Sequence, residues 1–256
     1  MEIKRRPFQG VLNILSFNRH FYVYGLIALA VLFFSRLYFN WPMDIFWLIV
    51  IAFAYGLLMP LIVSAYVYDF SHYYELKWLE DIVKNRPTNQ VVNINAGFDE
   101  TSFILHKKMP LSHLKVFDFY DVHQHTEAAI VRARKVSLIY PGTTQISTSH
   151  IPMENDSVDL IFLLSAAHEI RSNKEKVLFL KECHRICKTG GQVIMVEHLR
   201  DFPNFLAFTI GFTHFFSRHT WRTAFAEAGF SAFREKKFTP FMSVFEADHS
   251  PARSNP

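Results

Sequence analysis

Two long apolar runs occupy the first quarter of the chain. Residues 21–39 are interrupted only by Arg36, and residues 45–68 carry no charged side chain over 24 positions. An apolar helix of about 20 residues is long enough to cross a hydrocarbon core of roughly 30 Å. The connection Asn40-Trp41-Pro42 is short, so the pattern predicts an N-terminal transmembrane helical hairpin. The alternative is a pair of buried helices that cover a soluble domain.

Beyond the second run, short apolar segments alternate with amphipathic helical patterns. The predicted strands are residues 90–95, 114–119, 144–147, 158–164 and 192–197. The predicted helices are residues 71–84, 101–108, 125–135, 173–187, 204–216 and 220–228. This alternation predicts an α/β fold, a Rossmann-like doubly wound sheet that is mostly parallel. Two last strands, 232–238 and 241–246, have no helix between them, which predicts an antiparallel edge strand.

The pattern divides the chain into three parts. Residues 1–70 form the membrane segment, residues 71–248 the α/β domain, and residues 249–256 a disordered tail. Basic residues precede the first apolar run, which predicts a multi-pass protein of the cytoplasmic (inner) membrane with its domain facing the cytoplasm. They are Lys4, Arg5, Arg6 and Arg19. A formal net charge of +4 is too small and dispersed to indicate nucleic acid as a partner.

The cysteines indicate a reducing compartment and no metal. Only two are present, Cys183 and Cys187, four residues apart on one predicted helix, so they cannot form a disulfide framework. With His184 they suggest zinc, but both cysteines continue the apolar stripe of the helix and no further ligand pair lies near. Buried small side chains are the favoured interpretation.

Polar residues follow two predicted strands where each ends. Ser165, His168 and Glu169 follow the strand at 158–164, and Glu197 and His198 end the strand in ECHRICKTGGQVIMVEHLRD. In open α/β sheets ligands bind at the carboxyl ends of strands. Either histidine is a candidate general base, with Glu169 or Glu197 orienting it. The alternative is a structural ion-pair cluster that includes Glu197, Arg200 and Asp201.

The first strand and turn read VVNINAGFDET. A dinucleotide fingerprint needs Gly-x-Gly-x-x-Gly, and only Gly97 is present, which disfavours a nicotinamide oxidoreductase. Asn95 and Asp99 suit the aminocarboxylate of S-adenosylmethionine, which has no phosphate; the alternative is an ordinary polar turn. Asp118 ends the second strand 21 residues after Gly97, where a ribose diol is bound. Asp121 competes for that role but is better placed as a helix N-cap.

These features resemble class I S-adenosylmethionine-dependent methyltransferases of the ubiquinone/menaquinone C-methyltransferase-like (type 11) group. The resemblance covers about residues 89–247 and rests on Asp118, on Ile151-Pro152 before SVDLIFLLSAAHEI, and on ECHRICKTGGQVIMVEH. DFYDVHQHTE, AAHEIR and EHLRD resemble a membrane-associated subgroup. Two departures stand out: asparagines and an aspartate replace residues of the acidic-x-Gly-x-Gly-x-Gly motif, and Ser147-Thr148-Ser149 replaces the acidic residue that binds adenine. The resemblance implies that the cofactor contacts Asn93, Asn95, Gly97, Asp99, Asp118, Phe119, Ser147, Thr148 and Ser165.

The expected function is S-adenosylmethionine-dependent methyl transfer to a lipophilic small molecule, such as a phenol or quinone precursor, at the cytoplasmic membrane surface. An anchor gives a crevice access to molecules that scarcely dissolve in water. The segment FTIGFTHFFSRHTW is aromatic at helical spacing and is either core or an apolar substrate wall. The alternative function is a catalytically degenerate methyltransferase fold that serves as a membrane-tethered scaffold. The sequence leaves the acceptor and the oligomeric state open.

Overall fold

The computed structural model describes residues 5–83 and 88–249. Of the predicted disordered tail, only His249 is described, and its amide donates to the Gly191 carbonyl oxygen at 3.0 Å. The rest of that tail lies outside the described residues, as does Lys84 at the end of the helix predicted for 71–84.

The N-terminal region is helical and largely exposed. A short helix, α1 (Gln9–Phe17), which the sequence analysis did not predict, precedes α2 (Arg19–Phe39) and α3 (Met43–Ser64). The most apolar windows of the two long helices have mean hydropathies of 1.7 and 2.5, and 0% and 6% of their residues are buried. They are therefore long and apolar enough to cross a membrane, and they are not buried against the domain as the alternative required.

The two long helices pack against each other at Gly25. A Cβ atom at this position would lie 2.8 Å from Cδ2 of Leu57, so a larger residue would require the Leu57 side chain to move. The helix then continues from α3 into a π-helical turn, Ala65–Phe70. Val67 of that turn is fully buried in the core of the domain. The membrane-type hairpin and the domain are thus joined by packed side chains, across the boundary predicted at residue 70.

A seven-stranded sheet forms the centre of the domain, in the order β3-β2-β1-β4-β5-β7-β6. Its strands are β1 (Gln90–Asn95), β2 (His113–Asp118), β3 (Thr144–Gln145), β4 (Val158–Leu164), β5 (Cys187–His198), β6 (Ala232–Lys237) and β7 (Met242–Asp248). The first five are parallel, and β7 is antiparallel to both β5 and β6. The predicted Rossmann-like, mostly parallel sheet is confirmed. Its antiparallel strand lies one position in from the edge.

Helices cover both faces of the sheet, because alternate strand residues point to opposite sides. The helices are α4 (Lys77–Val83), α5 (Ser102–Lys108), α6 (Ala128–Val136), α7 (Asn173–Ile186), α8 (Phe202–Phe208) and α9 (Arg218–Glu227). On one face Ile161 and Val193 pack with residues of α7 and α9. On the other, Leu160 and Ile194 pack with Val67 and other residues that follow α3.

Several predicted elements differ from the observed ones, and the strand predicted for 144–147 is only Thr144–Gln145. The helix predicted for 71–84 is split by Leu76, which has a left-handed φ of 50°. The helix predicted for 204–216 is α8 followed by a 3₁₀-helix, Thr209–His214. The segment from Cys187 to Gly191 belongs to β5, and the pairing of β4 with β5 shifts register there. Local propensity did not reveal these breaks, since tertiary contacts override it.

Candidate functional site

The polar residues predicted at the strand ends fall into two groups along the carboxyl edge of the sheet. We call the residues after β1 and β2, where the sequence predicts the cofactor, the cofactor side; it is centred on Gly97 and Asp118. We call the residues after β4 and β5, where the sequence predicts a general base, the acceptor side; it is centred on His168 and Glu197. The parallel strands β1, β2, β4 and β5 bring these four segments to one edge of the sheet, where α/β folds bind ligands.

Gly97 makes the turn after β1. Its φ of +88° is left-handed, and a Cβ atom there would lie 2.9 Å from Nη1 of Arg134 and 3.0 Å from the ring of Tyr120. The Asn95 side chain accepts a hydrogen bond from the Gly97 amide at 3.0 Å, which fixes the turn. The single glycine retained from the motif is therefore the one that the backbone requires.

Asp118 lies at the end of β2, as predicted for a ribose-binding carboxylate, but a side chain of the protein already contacts it. Arg134 of α6 donates from Nη1 to Oδ2 at 2.6 Å, and the Tyr120 amide donates to Oδ1 at 2.8 Å. The Arg134 guanidinium also lies 4.4 Å from the centre of the Tyr120 ring. The Arg134 side chain is 37% exposed, so it can leave Asp118 for solvent.

Two residues of the predicted cofactor loop face the interior. Asp99 accepts through Oδ1 from the amides of Thr101 and Ser102, both at 2.9 Å, and so holds the start of α5. Asn93 donates to the Thr101 and Ser102 hydroxyls. In each residue one buried oxygen, Oδ2 of Asp99 and Oδ1 of Asn93, has no hydrogen-bond partner. Buried acceptors of this kind are rare and suit an additional donor such as an ammonium group.

The remaining residues predicted to contact the cofactor lie in different surroundings. The Phe119 ring is 2% exposed in the main core and packs 5.4 Å from Phe179, so Tyr120 rather than Phe119 faces Gly97. Ser147 bonds to the Ser149 hydroxyl. Thr148 donates to Glu175 at the start of α7 at 2.7 Å, which places a carboxylate beside the turn where the resemblance expects an acidic residue.

Ser165 marks the start of the acceptor side. It follows β4 with a φ of +52°, which is uncommon for a residue with a side chain and is found at functional turns. Its hydroxyl lies 3.3 Å from the hydroxyl of Tyr73, a buried residue between the hairpin and the domain. The turn therefore contacts the segment that leads out of the apolar helices.

His168 is held between two carboxylates. Its Nδ1 lies 2.7 Å from Oε2 of Glu197, its amide donates to Oε1 of the same carboxylate at 3.2 Å, and its Nε2 lies 3.4 Å from Glu169. Burial disfavours the charge on His168, but Glu197 and Glu169 outweigh it and raise its pKa to about 10. Burial also disfavours the charge on Glu169, yet His168 lowers its pKa to about 2. The pair is therefore charged at neutral pH, and His168 is a cation rather than a free base.

A second histidine, His214, lies beside this cluster. Its ring centre is 5.2 Å from that of His168, and it ends the 3₁₀-helix after α8. Burial, followed by the positive charge of His168, lowers the pKa of His214 to about 4, so it is neutral. His214 was not predicted as a site residue because it lies 46 positions after His168, on an aromatic segment interpreted as core or wall.

His198 has a different environment from His168. Its Nδ1 lies 2.9 Å from the Phe241 carbonyl oxygen, so it donates there, and its Nε2 accepts from the Tyr68 hydroxyl at 2.9 Å. Burial lowers its pKa to about 4. With both nitrogens bonded, His198 has no position for a substrate proton, which argues against the predicted base. It joins the π-helical turn to the end of β5, a contact that the sequence did not indicate.

The chain is similar to known methyltransferases in part of its sequence and in its fold. A family model described as a methyltransferase domain matches residues 113–195, from β2 into β5. No curated protein sequence matches the chain. Among solved structures, the chain resembles a protein described as an O-methyltransferase from Nostoc punctiforme, with a TM-score of 0.51 and 16% identity over 75% of this chain. The match covers 59% of the Nostoc chain, so the present chain spans less than two thirds of that length.

Two further structures have the same kind of description. One is a SAM-dependent methyltransferase from Aquifex aeolicus, with a TM-score of 0.49 and 17% identity over 70% of this chain and 93% of that one. The other is human N-acetylserotonin methyltransferase in complex with SAM, with a TM-score of 0.48 and 15% identity over 77% and 56% of the two chains. The matched family model supports a methyltransferase domain, and the likeness to the Nostoc protein shows a shared fold.

The residues on the cofactor side fit S-adenosylmethionine, the cofactor predicted from the sequence. Asp118 is a carboxylate at the end of β2, Gly97 lets Arg134 and Tyr120 approach the turn closely, and Asp99 and Asn93 each keep one unpartnered buried oxygen. Arg134 competes with a ribose for Asp118, because its guanidinium lies between Gly97 and the carboxylate. Ribose binding at Asp118 therefore requires Arg134 to move.

Proposed function

We propose that this protein transfers a methyl group from S-adenosylmethionine to a lipophilic small molecule with an acidic oxygen, at the surface of the cytoplasmic membrane. The cofactor supplies an electrophilic methyl group for in-line displacement. The position of a charged acceptor side beside a membrane-type hairpin is the observation that carries the proposal. Proximity and alignment supply most of the rate enhancement in a displacement of this kind.

An exposed apolar surface supports access from the bilayer. Four side chains of α8 and the following 3₁₀-helix are exposed, and the Tyr55 hydroxyl of α3 donates to the Leu206 carbonyl oxygen at 2.7 Å. The four are Phe202, Phe205, Leu206 and Ile210, with exposures of 70%, 46%, 43% and 83%. The same 3₁₀-helix ends at His214, next to His168. A lipophilic acceptor that enters along α8 would thus reach the charged cluster.

The acceptor side suits an anionic oxygen. His168 is protonated at neutral pH, so it holds such an oxygen by charge and a hydrogen bond, while Glu197 fixes the ring from the far side. Ser165 and Tyr73 place hydroxyl groups at the start of the same turn. We assign His168 and Glu169 to the acceptor, Glu197 to positioning His168, and His198 to holding the hairpin against β5.

The test is methyl transfer from cofactor labelled in its methyl group into a lipid extract, with the full-length protein in detergent or nanodiscs. We expect label in the organic phase with the wild type and with Asp121→Asn, and much less with Asp118→Asn. An absence of label in every lipid fraction, in a protein that binds the cofactor, would contradict a lipophilic acceptor.

The Arg134–Asp118 contact favours one second function, a non-catalytic scaffold tethered to the membrane. In that case Arg134 would be a permanent replacement for the ribose. The two functions differ in a direct measurement, because a scaffold whose Asp118 is permanently occupied by Arg134 binds no cofactor as the wild-type protein, whereas the enzyme binds it. Cofactor binding by Arg134→Ala but not by the wild type would indicate a domain that has lost cofactor binding through this one contact.

A further inference from the structure

We propose that His168, Glu169 and His214 bind a divalent first-row transition-metal ion on the acceptor side. Each residue offers one ligand atom, and the three atoms lie within 4.8 Å of one another. Small rotamer changes bring nitrogen and oxygen atoms at this separation to the roughly 2.0–2.2 Å that a metal such as zinc requires. The residues come from two elements, the turn after β4 and the 3₁₀-helix after α8, so an ion would connect them.

Both histidines have a carboxylate next to Nδ1, as metal-binding histidines often do. A histidine that binds a metal through one nitrogen almost always donates the other N–H to a carboxylate or carbonyl oxygen. Nδ1 of His168 lies 2.7 Å from Glu197, and Nδ1 of His214 lies 3.4 Å from Glu127. Nε2 of His168 is thereby left for the shared space, where it lies 3.4 Å from Glu169, and His214 offers one ligand atom to the same space. This pair of outer carboxylates is the second observation behind the proposal.

The backbone around the cluster is fixed by one arginine. Nη1 of Arg171 donates to the carbonyl oxygens of His168 and His214, at 3.0 and 2.7 Å. It therefore links the two ligand-bearing segments without occupying a ligand atom. Its positive charge opposes a cation nearby, whereas the carboxylates of Glu169, Glu197 and Glu127 favour one. The side chains of His168, Glu169 and His214 are 17%, 12% and 29% exposed, so an ion can reach them.

The donor set indicates the class of metal. Two imidazoles and one carboxylate suit iron, zinc and their first-row neighbours, and they leave coordination positions open. The role of such an ion rests on the proposed function. The ion would stabilise the acceptor oxygen as an anion, which is the role that the proton on His168 has when no metal is bound. Metal binding itself does not depend on that function.

Cobalt binding tests the site through its visible absorption, with the full-length protein in detergent and no polyhistidine tag. We expect one Co²⁺ per chain, displaced by Zn²⁺. His214→Ala and Glu169→Gln should weaken binding at least tenfold. Glu127→Gln, which removes an outer carboxylate, should weaken it by about tenfold to a hundredfold. His219→Ala, an exposed histidine on α9, is the matched control and should leave it unchanged.

Absence of a bound ion at millimolar Co²⁺ would overturn the proposal, as would binding that His214→Ala and Glu127→Gln leave unchanged. Glu127 is exposed, with a side chain that is 55% accessible, so its variant keeps the test valid if His214→Ala does not fold. Binding of S-adenosylhomocysteine is measured separately on each protein by calorimetry. Metal binding without cofactor binding would contradict the methyltransferase, and cofactor binding without metal binding would contradict only the metal site.

Discussion

The cofactor side and the acceptor side lie along one edge of one sheet, yet they hold their charges differently. Asp118 pairs with Arg134, a side chain that is 37% exposed and free to exchange with solvent or ligand. Glu197, 1% exposed, pairs with His168, which is 17% exposed. An exposed ion pair contributes little to stability, whereas a buried one is costly to break. Substitutions on the acceptor side should therefore affect folding, and those on the cofactor side should affect binding.

The largest effect is expected for Glu197→Ala. Removing this carboxylate leaves the buried imidazolium of His168 without its closest partner, and breaking a buried pair costs about 3–5 kcal/mol. The thermal midpoint in detergent should fall markedly, while the protein that remains folded binds S-adenosylhomocysteine within about twofold of wild type. Glu154→Ala, an exposed glutamate, is the control and should change stability by less than about 0.5 kcal/mol. A Glu197→Ala protein as stable as this control would contradict the buried pair.

The next effect is a loss of stability at low pH through His198. Its pKa is about 4 in the folded protein, below its ordinary value, so the unfolded state binds the proton more tightly. The stability is therefore complete above about pH 6.5 and is lost as the pH falls toward 4, by an amount on the order of 3 kcal/mol. The groups that face His198 are Tyr68, Asn204 and the Phe241 carbonyl oxygen, with the charges of His168 and Asp201 nearby.

Unfolding by denaturant at pH 7, 5.5 and 4.5 checks this expectation against His198→Gln. Glutamine keeps a donor and an acceptor but does not titrate, so the variant should lose less stability between these pH values than the wild type. Equal losses would mean that other groups account for the acid sensitivity and that His198 is not held neutral.

A smaller effect, on binding alone, is expected for Asp118→Asn. Hydrogen bonds to a charged group contribute about 1.5–3 kcal/mol, so affinity for S-adenosylmethionine should fall roughly tenfold to a hundredfold. The thermal midpoint should change little, because the Arg134 pair that is lost is partly exposed. Asp121→Asn, three residues further on, is the matched control and should bind normally. Equal losses of affinity in the two variants would show that the cofactor side is misplaced.

The smallest effect is expected for Arg134→Ala, and it has the opposite sign. The variant frees Asp118 for the ribose, and a partly exposed ion pair is worth about 0.2–1 kcal/mol, so cofactor affinity should rise by at most about fivefold. Calorimetric titration beside wild type measures the change. A lower affinity would show that Arg134 contacts the cofactor instead of competing with it.

The sequence predicted the elements that depend on local pattern. Strands β1 and β4 begin and end where the alternation of apolar residues placed them, and Asp118 ends β2 as expected. It could not predict partners brought together by the fold. Arg134 reaches Asp118 from the next helix, His214 reaches His168 from the far side of β5, and Phe119 turns into the core while Tyr120 faces the crevice.

The two histidines show this limit most clearly. His168 and His198 both follow a strand end and both neighbour a glutamate, so the sequence gives no reason to separate them. In the fold, Glu197 faces His168 and keeps it charged, whereas burial lowers the pKa of His198 and keeps it neutral between Tyr68 and the Phe241 carbonyl oxygen. The difference depends on contacts more than 25 residues apart, which no local pattern encodes.

Two exposed isoleucines allow a test of access from the membrane along α8. Ile210 on the segment beside α3 is 83% exposed, and Ile139 after α6 is 76% exposed. Ile210→Asp should reduce methyl transfer to a lipid acceptor in nanodiscs several-fold, because a charged side chain in contact with lipid is unfavourable. Ile139→Asp should leave transfer unchanged. Equal behaviour of the two variants would remove the support for access along α8.

The most direct test of the central claim is calorimetric titration of the detergent-solubilised, full-length protein with S-adenosylhomocysteine. We expect saturable binding of one molecule per chain, weakened by Asp118→Asn and strengthened slightly by Arg134→Ala. No heat of binding at millimolar ligand, in the wild type and in Arg134→Ala alike, would contradict a cofactor site at the ends of β1 and β2.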